Sequence, residues 1–347
     1  MDAFSLMQDL VPESFVSMRV RFRILQMIAN HQPIGRRSLA KELEMTERTL
    51  RTETDLLKDQ KLIDIQSKGM VLTDVGAELL TQLSAQANCL ITMSYLERQL
   101  ASKLGVSFCR IVEKTTGDGY QELLNQSIGD AVQAILEQIL PLGDSILAVT
   151  GGTTMASLAS RFTKELSKHR SLTFVPARGG VGGSTIIQAS SVSEMMASRT
   201  GGKHYSLYIP EHVSKETYLP LMQEPTISKA INLMKHANCL LYSVGDAKIM
   251  GERRGLKSED LELIHEKKAI GEAFGCFFTA SGEVVYKLPR VGLHLSDLTS
   301  IPFSVAIVTG IEKVEALKAY AKLAPRLKTW FVVDQGVANL VLSEATR

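Results

Sequence analysis

Along the first sixty positions, apolar residues recur with a helical period. Ile24, Leu25 and Ile28 share one helical face, and Gln32 with Pro33 ends that run. Leu39, Ala40 and Leu43 mark a second, short helix over residues 37–43. Thr46 then stands where a helix cap belongs, and Leu50, Leu56 and Leu57 lie on the inner side of a third helix over 47–58. A tight turn between the second and third helices predicts a helix-turn-helix. The following LIDIQSKGMVLTDVGAELL contains two short strand-like runs around Lys68 and Gly69, which predicts a wing.

The pattern changes twice more. Residues 74–104 contain no proline and repeat leucine at helical intervals, at Leu79, Leu83, Leu90, Leu96, Leu100 and Leu104. A single helix of that length spans about 45 Å. Its apolar surface exceeds what one helix buries alone, so it is expected to pair with a copy of itself or to pack on the next domain. From residue 105 onward, strand-like runs alternate with helical ones. The runs are 108–112, 146–150, 172–176, 205–209, 239–244, 305–309 and 330–334. That order predicts an α/β fold, a doubly wound parallel sheet with helices on both faces. The organisation expected is a winged helix over 1–73, a helical connector over 74–104 and a ligand domain over 105–347.

Composition narrows the class. With 45% hydrophobic and 22% charged residues the chain is of ordinary globular character. Its longest apolar runs, such as SVAIVT, fall far short of the roughly 20 residues a membrane helix needs. The start, MDAFSLMQDL, lacks the pattern of a signal peptide, so a cytoplasmic protein without membrane contact is expected. Cys89, Cys109, Cys239 and Cys276 are scattered and are read as reduced thiols, and no histidine pair has metal-ligand spacing. Neither a metal nor a cofactor is expected.

The net charge of +2 carries no global nucleic-acid signature, yet the distribution does. Between Arg19 and Arg51 stand eight basic residues, including Arg21, Arg23 and Lys41, against the acids Glu42, Glu44 and Glu47. Thr46, Arg48, Thr49, Arg51 and Thr52 occupy the start of the third helix, the part that meets base edges in a major groove. Arginine is able to donate twice to guanine, and threonine to touch a thymine methyl or a phosphate. Arg36 and Arg37 open the second helix and suit phosphates, as does Lys68 in the wing. Without interleaved aromatics, duplex DNA is favoured over single strands. A small helical bundle for protein contacts is the alternative.

In the ligand domain, the strand over 146–150 ends in TGGTT. Gly151 and Gly152 permit a sharp, unobstructed turn, and Thr153 and Thr154 add hydroxyls beside the amides of a helix start, a combination suited to an anion. It matches neither GxGxxG nor GxxxxGK[ST]. The next strand runs into VPARGG, with Arg178 and Gly179, and VTGIEK puts Lys313 in a first helical turn. A further loop, GERRG, offers Arg253 and Arg254 for a second anion, with Glu252 as an opposing charge. Glu272, within IGEAFG, suits sugar hydroxyls. Together these loops point to a phosphorylated ligand.

A winged helix followed by TGGTT, VPARGG, GEAFG and a terminal VVDQG resembles the SorC family of bacterial transcriptional regulators over nearly the whole chain. The resemblance implies a ligand domain similar to sugar-phosphate isomerases and deaminases, in a repressor of a glycolytic operon whose operator binding is relieved by fructose 1,6-bisphosphate. By that likeness Gly151, Gly152, Thr153, Thr154 and Lys313 hold one phosphate. Arg178 and Arg253 serve the other phosphate or the sugar, and Gln188 and Glu272 face hydroxyls. The expected partners are double-stranded operator DNA, the sugar phosphate and further copies of the chain, as a homodimer or homotetramer. A dimer suits half-sites about 34 Å apart. The same fold likeness supplies the rival reading of a sugar-phosphate enzyme, which would need an acid and a base at the reacting carbons. A DNA-binding protein with a vestigial ligand domain is the third.

Overall fold

Helix α1 (Pro12–His31) ends where the sequence leaves the helical period, and α2 (Arg36–Glu42) and α3 (Glu47–Asp59) complete the helical triplet. Ile24, Leu25, Ile28, Leu39, Leu50 and Leu57 bury together with Ile63 and Met70 to form one core. Strands β1 (Ile63–Gln66) and β2 (Gly69–Leu72) pair antiparallel. Ile34 adds a third edge by exchanging both backbone hydrogen bonds with Met70. The Gln32 side chain accepts the Leu72 amide at 2.8 Å, fastening the end of α1 to the wing.

The computed structural model describes residues 12–43, 45–80, 95–112, 120–180, 185–209, 215–288, 291–325 and 327–343. It divides into two units, Met1–Thr92 and Met93–Arg347. Residues 74–80 are helical, and α4 (Tyr95–Leu104) opens the second unit. The expectation of one continuous connector helix falls on 81–94, outside the described residues, as does Cys89.

In the second unit, seven strands form one parallel sheet in the order β3-β13-β12-β7-β4-β5-β6. They are β3 (Phe108–Val112), β4 (Gly143–Val149), β5 (Arg170–Pro176), β6 (Lys203–His204), β7 (Cys239–Tyr242), β12 (Phe303–Val308) and β13 (Thr329–Asp334). The central strands are apolar on both faces, as a sheet covered by helices requires. The helices of this unit after α4 are α5 (Tyr120–Ile139), α6 (Thr153–Ala159), α7 (Ala189–Thr200), α8 (Lys215–Gln223), α9 (Pro225–Lys235), α10 (Ala247–Arg253), α11 (Ser258–Glu266), α12 (Val314–Leu323) and α13 (Gln335–Ser343), of which α10 and α11 form a separate small core around Ala247, Ile264 and Phe277. At the β3 edge, buried Glu97 of α4 accepts the Ile111 amide at 2.9 Å and faces Arg110 at 3.5 Å.

Two features depart from the sequence reading. Residues 205–209 are not a strand. After β6 the Leu207 amide bonds to the Ser190 hydroxyl at 3.1 Å, which takes that backbone away from the sheet. A second, antiparallel sheet in the order β11-β10-β9-β8 was not anticipated. It consists of β8 (Gly245–Asp246), β9 (Ala269–Ala273), β10 (Cys276–Thr279) and β11 (Val284–Lys287).

Candidate functional site

β4 has β5 on one side and β7 on the other, so the order of connection reverses between β4 and β7. Ligands of doubly wound sheets bind at such a point, beyond the carboxyl ends of the strands. A cavity of about 790 Å³ lies there, bounded by the segments that follow β4, β5, β7 and β12. It gathers Gly151, Gly152, Thr153, Thr154, Arg178, Gln188, Arg253, Glu272 and Lys313. Gly179 is not among the lining residues. It sits behind the wall, where an added Cβ would stand 2.7 Å from Ile209, and Gly180 takes the lining position.

The two glycines of TGGTT are required for different reasons. A Cβ on Gly151 would lie 2.3 Å from the Ile187 carbonyl oxygen, so only glycine lets this turn pass the loop that leads into α7. Gly152 has open space around it but a φ of +118°, a conformation that side chains disfavour. Its amide bonds to the same Ile187 carbonyl at 2.8 Å. No side chain caps α6, so the first amides of that helix have no partner from a cap.

Cations converge on this cavity. Burial lowers the Lys313 ammonium below its ordinary value, and the neighbouring Arg253 lowers it further, while Glu312 and Asp334 oppose both. Desolvation and a second cation both favour an anion as the missing partner. Asp334 is committed elsewhere, accepting the Gly310 amide at 2.7 Å and the Val337 amide at 3.0 Å.

The two arginines of GERRG separate. Both line the cavity, but Arg253 is exposed there, whereas Arg254 is half-buried and donates to Glu272 Oε1 at 2.9 Å. The same oxygen accepts the Gly275 amide at 2.6 Å. Glu272 is therefore the counter-ion of Arg254 and the brace of the turn between β9 and β10. Phe274, in that turn, also lines the cavity, and its ring centroid lies 4.8 Å from that of Tyr242. Tyr242 is buried, which pushes its phenol up to about 12, against the hydrogen bonds that it shares with Tyr320, Ser304 and Thr329. Asp246, another lining acid, accepts the Ile249 amide at 3.0 Å as the cap of α10. Tyr242, Asp246, Phe274 and Glu312 escaped the sequence reading: Tyr242 lies in an apolar strand, and Phe274 and Glu312 stand within IGEAFG and VTGIEK beside the more conspicuous Glu272 and Lys313.

In the first unit, Thr46 caps α3 by accepting the Thr49 amide at 3.2 Å, and the two hydroxyls lie 2.8 Å apart. The Thr52 hydroxyl donates to the Arg48 carbonyl at 3.3 Å. Arg36 and Arg51 face the two oxygens of Asp55 at 3.8 and 3.7 Å, and Arg37 faces Glu47 at 3.5 Å. Arg48 has no acidic partner among the described residues. Lys68 is exposed in the β1–β2 turn.

Comparison with known proteins bears on both units. Residues 89–343 match a sugar-binding domain family, and residues 17–86 match the CggR N-terminal DNA binding domain. The chain is 39% identical over 338 residues to the central glycolytic genes regulator of Bacillus subtilis, covering 97% of each chain. It is 37% identical over 333 residues to that of Priestia megaterium, covering 96% of each. Among solved structures, a SorC family transcriptional regulator from Enterococcus faecalis shares 40% identity at a TM-score of 0.67, over 72% of this chain and 100% of that one. The full-length sorbitol operon regulator of Klebsiella pneumoniae, at 18% identity, has the same fold at a TM-score of 0.62 over 94% of this chain and 99% of its own.

Proposed function

The chain belongs to the SorC family of sugar-binding transcriptional regulators, and from that premise we propose that it represses a glycolytic operon and that fructose 1,6-bisphosphate relieves its binding to operator DNA. The observation that carries this reading is the convergence of Arg178, Arg253 and Lys313 with the TGGTT turn on one switch-point cavity. Three cations beside a glycine-rich turn suit a ligand with two anionic ends. Gly151, Gly152, Thr153, Thr154 and Lys313 take one phosphate. Arg178 and Arg253 take the other phosphate or the sugar. Gln188 and the Oε2 of Glu272 face hydroxyls, since Oε1 is occupied by Arg254 and Gly275. The names of the two relatives, both central glycolytic genes regulators, support the choice of pathway.

On the DNA side, α3 enters a major groove with Arg48, Arg51 and the methyl groups of Thr49 and Thr52 toward bases, while Thr46 caps the helix beside them. Arg36, Arg37 and Lys68 follow the phosphate backbone. The working form is a cytoplasmic homodimer or homotetramer, and the bisphosphate acts by binding one assembly state better than another. An enzyme on this fold would need a pair of groups for proton transfer. Asp246 and one oxygen of Glu272 are tied to backbone donors, which supports binding over turnover.

The test is thermal unfolding of the purified chain against fructose 1,6-bisphosphate, fructose 6-phosphate, glucosamine 6-phosphate, ribose 5-phosphate and inorganic phosphate. Selective binding stabilises by mass action. A shift with the bisphosphate well above that of each monophosphate is expected. A larger shift with a monophosphate would replace the proposed ligand, and none at all would favour a vestigial domain.

A further inference from the structure

A second cavity, of about 540 Å³, shares a wall with the first: the ring of Phe274 lines both. Phe274 has a φ of +54° and Gly275 one of +73°. A bulky residue in the left-handed region is uncommon, and such strain concentrates at ligand clamps and switch regions. The remaining apolar wall is made by Val284, Leu288, Leu295, Leu323 and Pro325.

The polar side chains of this cavity, Lys287, His294, Ser296 and Thr299, are all exposed at its mouth. Lys287 contributes an ammonium, and Ser296 a hydroxyl. The His294 carbonyl accepts the Asp297 amide at 3.0 Å, while Asp297 Oδ2 accepts the His294 amide at 2.8 Å, which closes the short turn Leu295–Thr299 and holds His294 at the cavity. The Thr299 hydroxyl is spent on the Ser296 carbonyl at 2.9 Å. Among the described residues lining the cavity there is no carboxylate.

We propose that this cavity is a second ligand site, for a small amphipathic carboxylate whose apolar body meets the aliphatic and Phe274 wall and whose anionic head meets Lys287 and His294. Its volume falls in the range of about 300–1,000 Å³ usual for small-molecule sites. A sugar phosphate does not suit it, because hydroxyls all round the ring would be buried without partners against the apolar wall. The site therefore does not duplicate the switch-point cavity, and it stands or falls independently of what that cavity binds.

Calorimetric titration of the full chain with 4-phenylbutyrate and with 4-phenylbutan-1-ol, without DNA or sugar phosphate, tests it. One saturable site per chain is expected, with the acid bound about tenfold tighter than the alcohol, as a charge-assisted contact provides. Lys287→Ala should remove that advantage and leave the alcohol unchanged. Ser296→Trp, at an exposed lining position, should block both probes with the thermal midpoint preserved. Absence of saturable binding, or binding that survives both substitutions, overturns the proposal. It is equally overturned if Ser296→Trp lowers the mass seen by light scattering, since the cavity would then belong to an interface between copies.

Discussion

Arg254 and Glu272 form a buried ion pair at 2.9 Å, and the carboxylate oxygen that receives the arginine also receives the Gly275 amide. Its neighbour in the chain, Arg253, also lines the cavity but is exposed there, while Arg254 is largely buried against Glu272. Adjacent arginines thus carry different tasks, one holding the β9–β10 turn and one meeting the ligand.

Truncating Arg254 leaves the Glu272 carboxylate buried without its cation. Arg254→Met is expected to cost about 3–5 kcal/mol, the usual result of breaking a buried pair on one side. Arg253→Ala should change stability by no more than about 0.5 kcal/mol and weaken bisphosphate binding instead. Urea unfolding beside calorimetric titration of the two variants checks this. Equal stability losses would remove the division of labour.

Gly151→Ala places a methyl carbon 2.3 Å from the Ile187 carbonyl oxygen, so the turn or the loop before α7 must move. Bisphosphate affinity should fall by at least about tenfold, because small misplacement of binding groups is costly. Thr154→Ala should abolish the response to ligand yet leave operator affinity intact. A Thr154→Ala variant that responds at unchanged concentration would take Thr154 out of the site.

Lys313 gives a pH dependence with a defined sign. Its folded-state value lies below the ordinary 10.5, first through burial. Between those two values the unfolded chain binds more protons than the folded one, so stability rises with pH across that window. A bound phosphate favours the ammonium and raises the value again. Complex formation therefore takes up protons, and affinity falls as pH climbs through the lowered value. Titrations in buffers of different ionisation enthalpy should reveal this uptake, and Lys313→Met should abolish it.

On the DNA side, Arg48→Ala and Arg51→Ala should each lower specific affinity by about 1–3 kcal/mol if they read bases. Lys68→Ala should weaken all duplexes alike and reduce the salt slope by about one. Thr46→Ala removes the cap on Thr49 and is expected to cost about 1 kcal/mol of stability. Anisotropy titrations at several salt concentrations separate these cases, and unchanged operator affinity in Arg51→Ala would remove it from the readout.

The winged helix was legible because its core obeys helical spacing and its breaks fall at Pro33, Thr46 and Gly69. The parallel sheet was legible from apolar runs buried on both faces. The antiparallel sheet was not, because its β9–β10 turn uses Phe274 and Gly275 where the familiar hairpin signal is asparagine followed by glycine. The glycine-rich and basic loops disclosed most of the cavity. Adjacent positions 253 and 254 look alike in sequence, and nothing in it marks that Arg254, the residue after α10, pairs with Glu272. Tyr242 reads in the sequence as part of an apolar strand, with nothing to mark that its place at the strand's carboxyl end makes it line the cavity.

The central claim is that a sugar bisphosphate bound at the switch point controls operator binding. The most direct measurement uses a labelled duplex selected from random sequence by the purified chain, and follows its anisotropy as fructose 1,6-bisphosphate is added. Release of the duplex by the bisphosphate, with no response to fructose 6-phosphate at the same concentration and none in Thr154→Ala, is the expected result. Operator affinity that stays the same with and without the bisphosphate would contradict it.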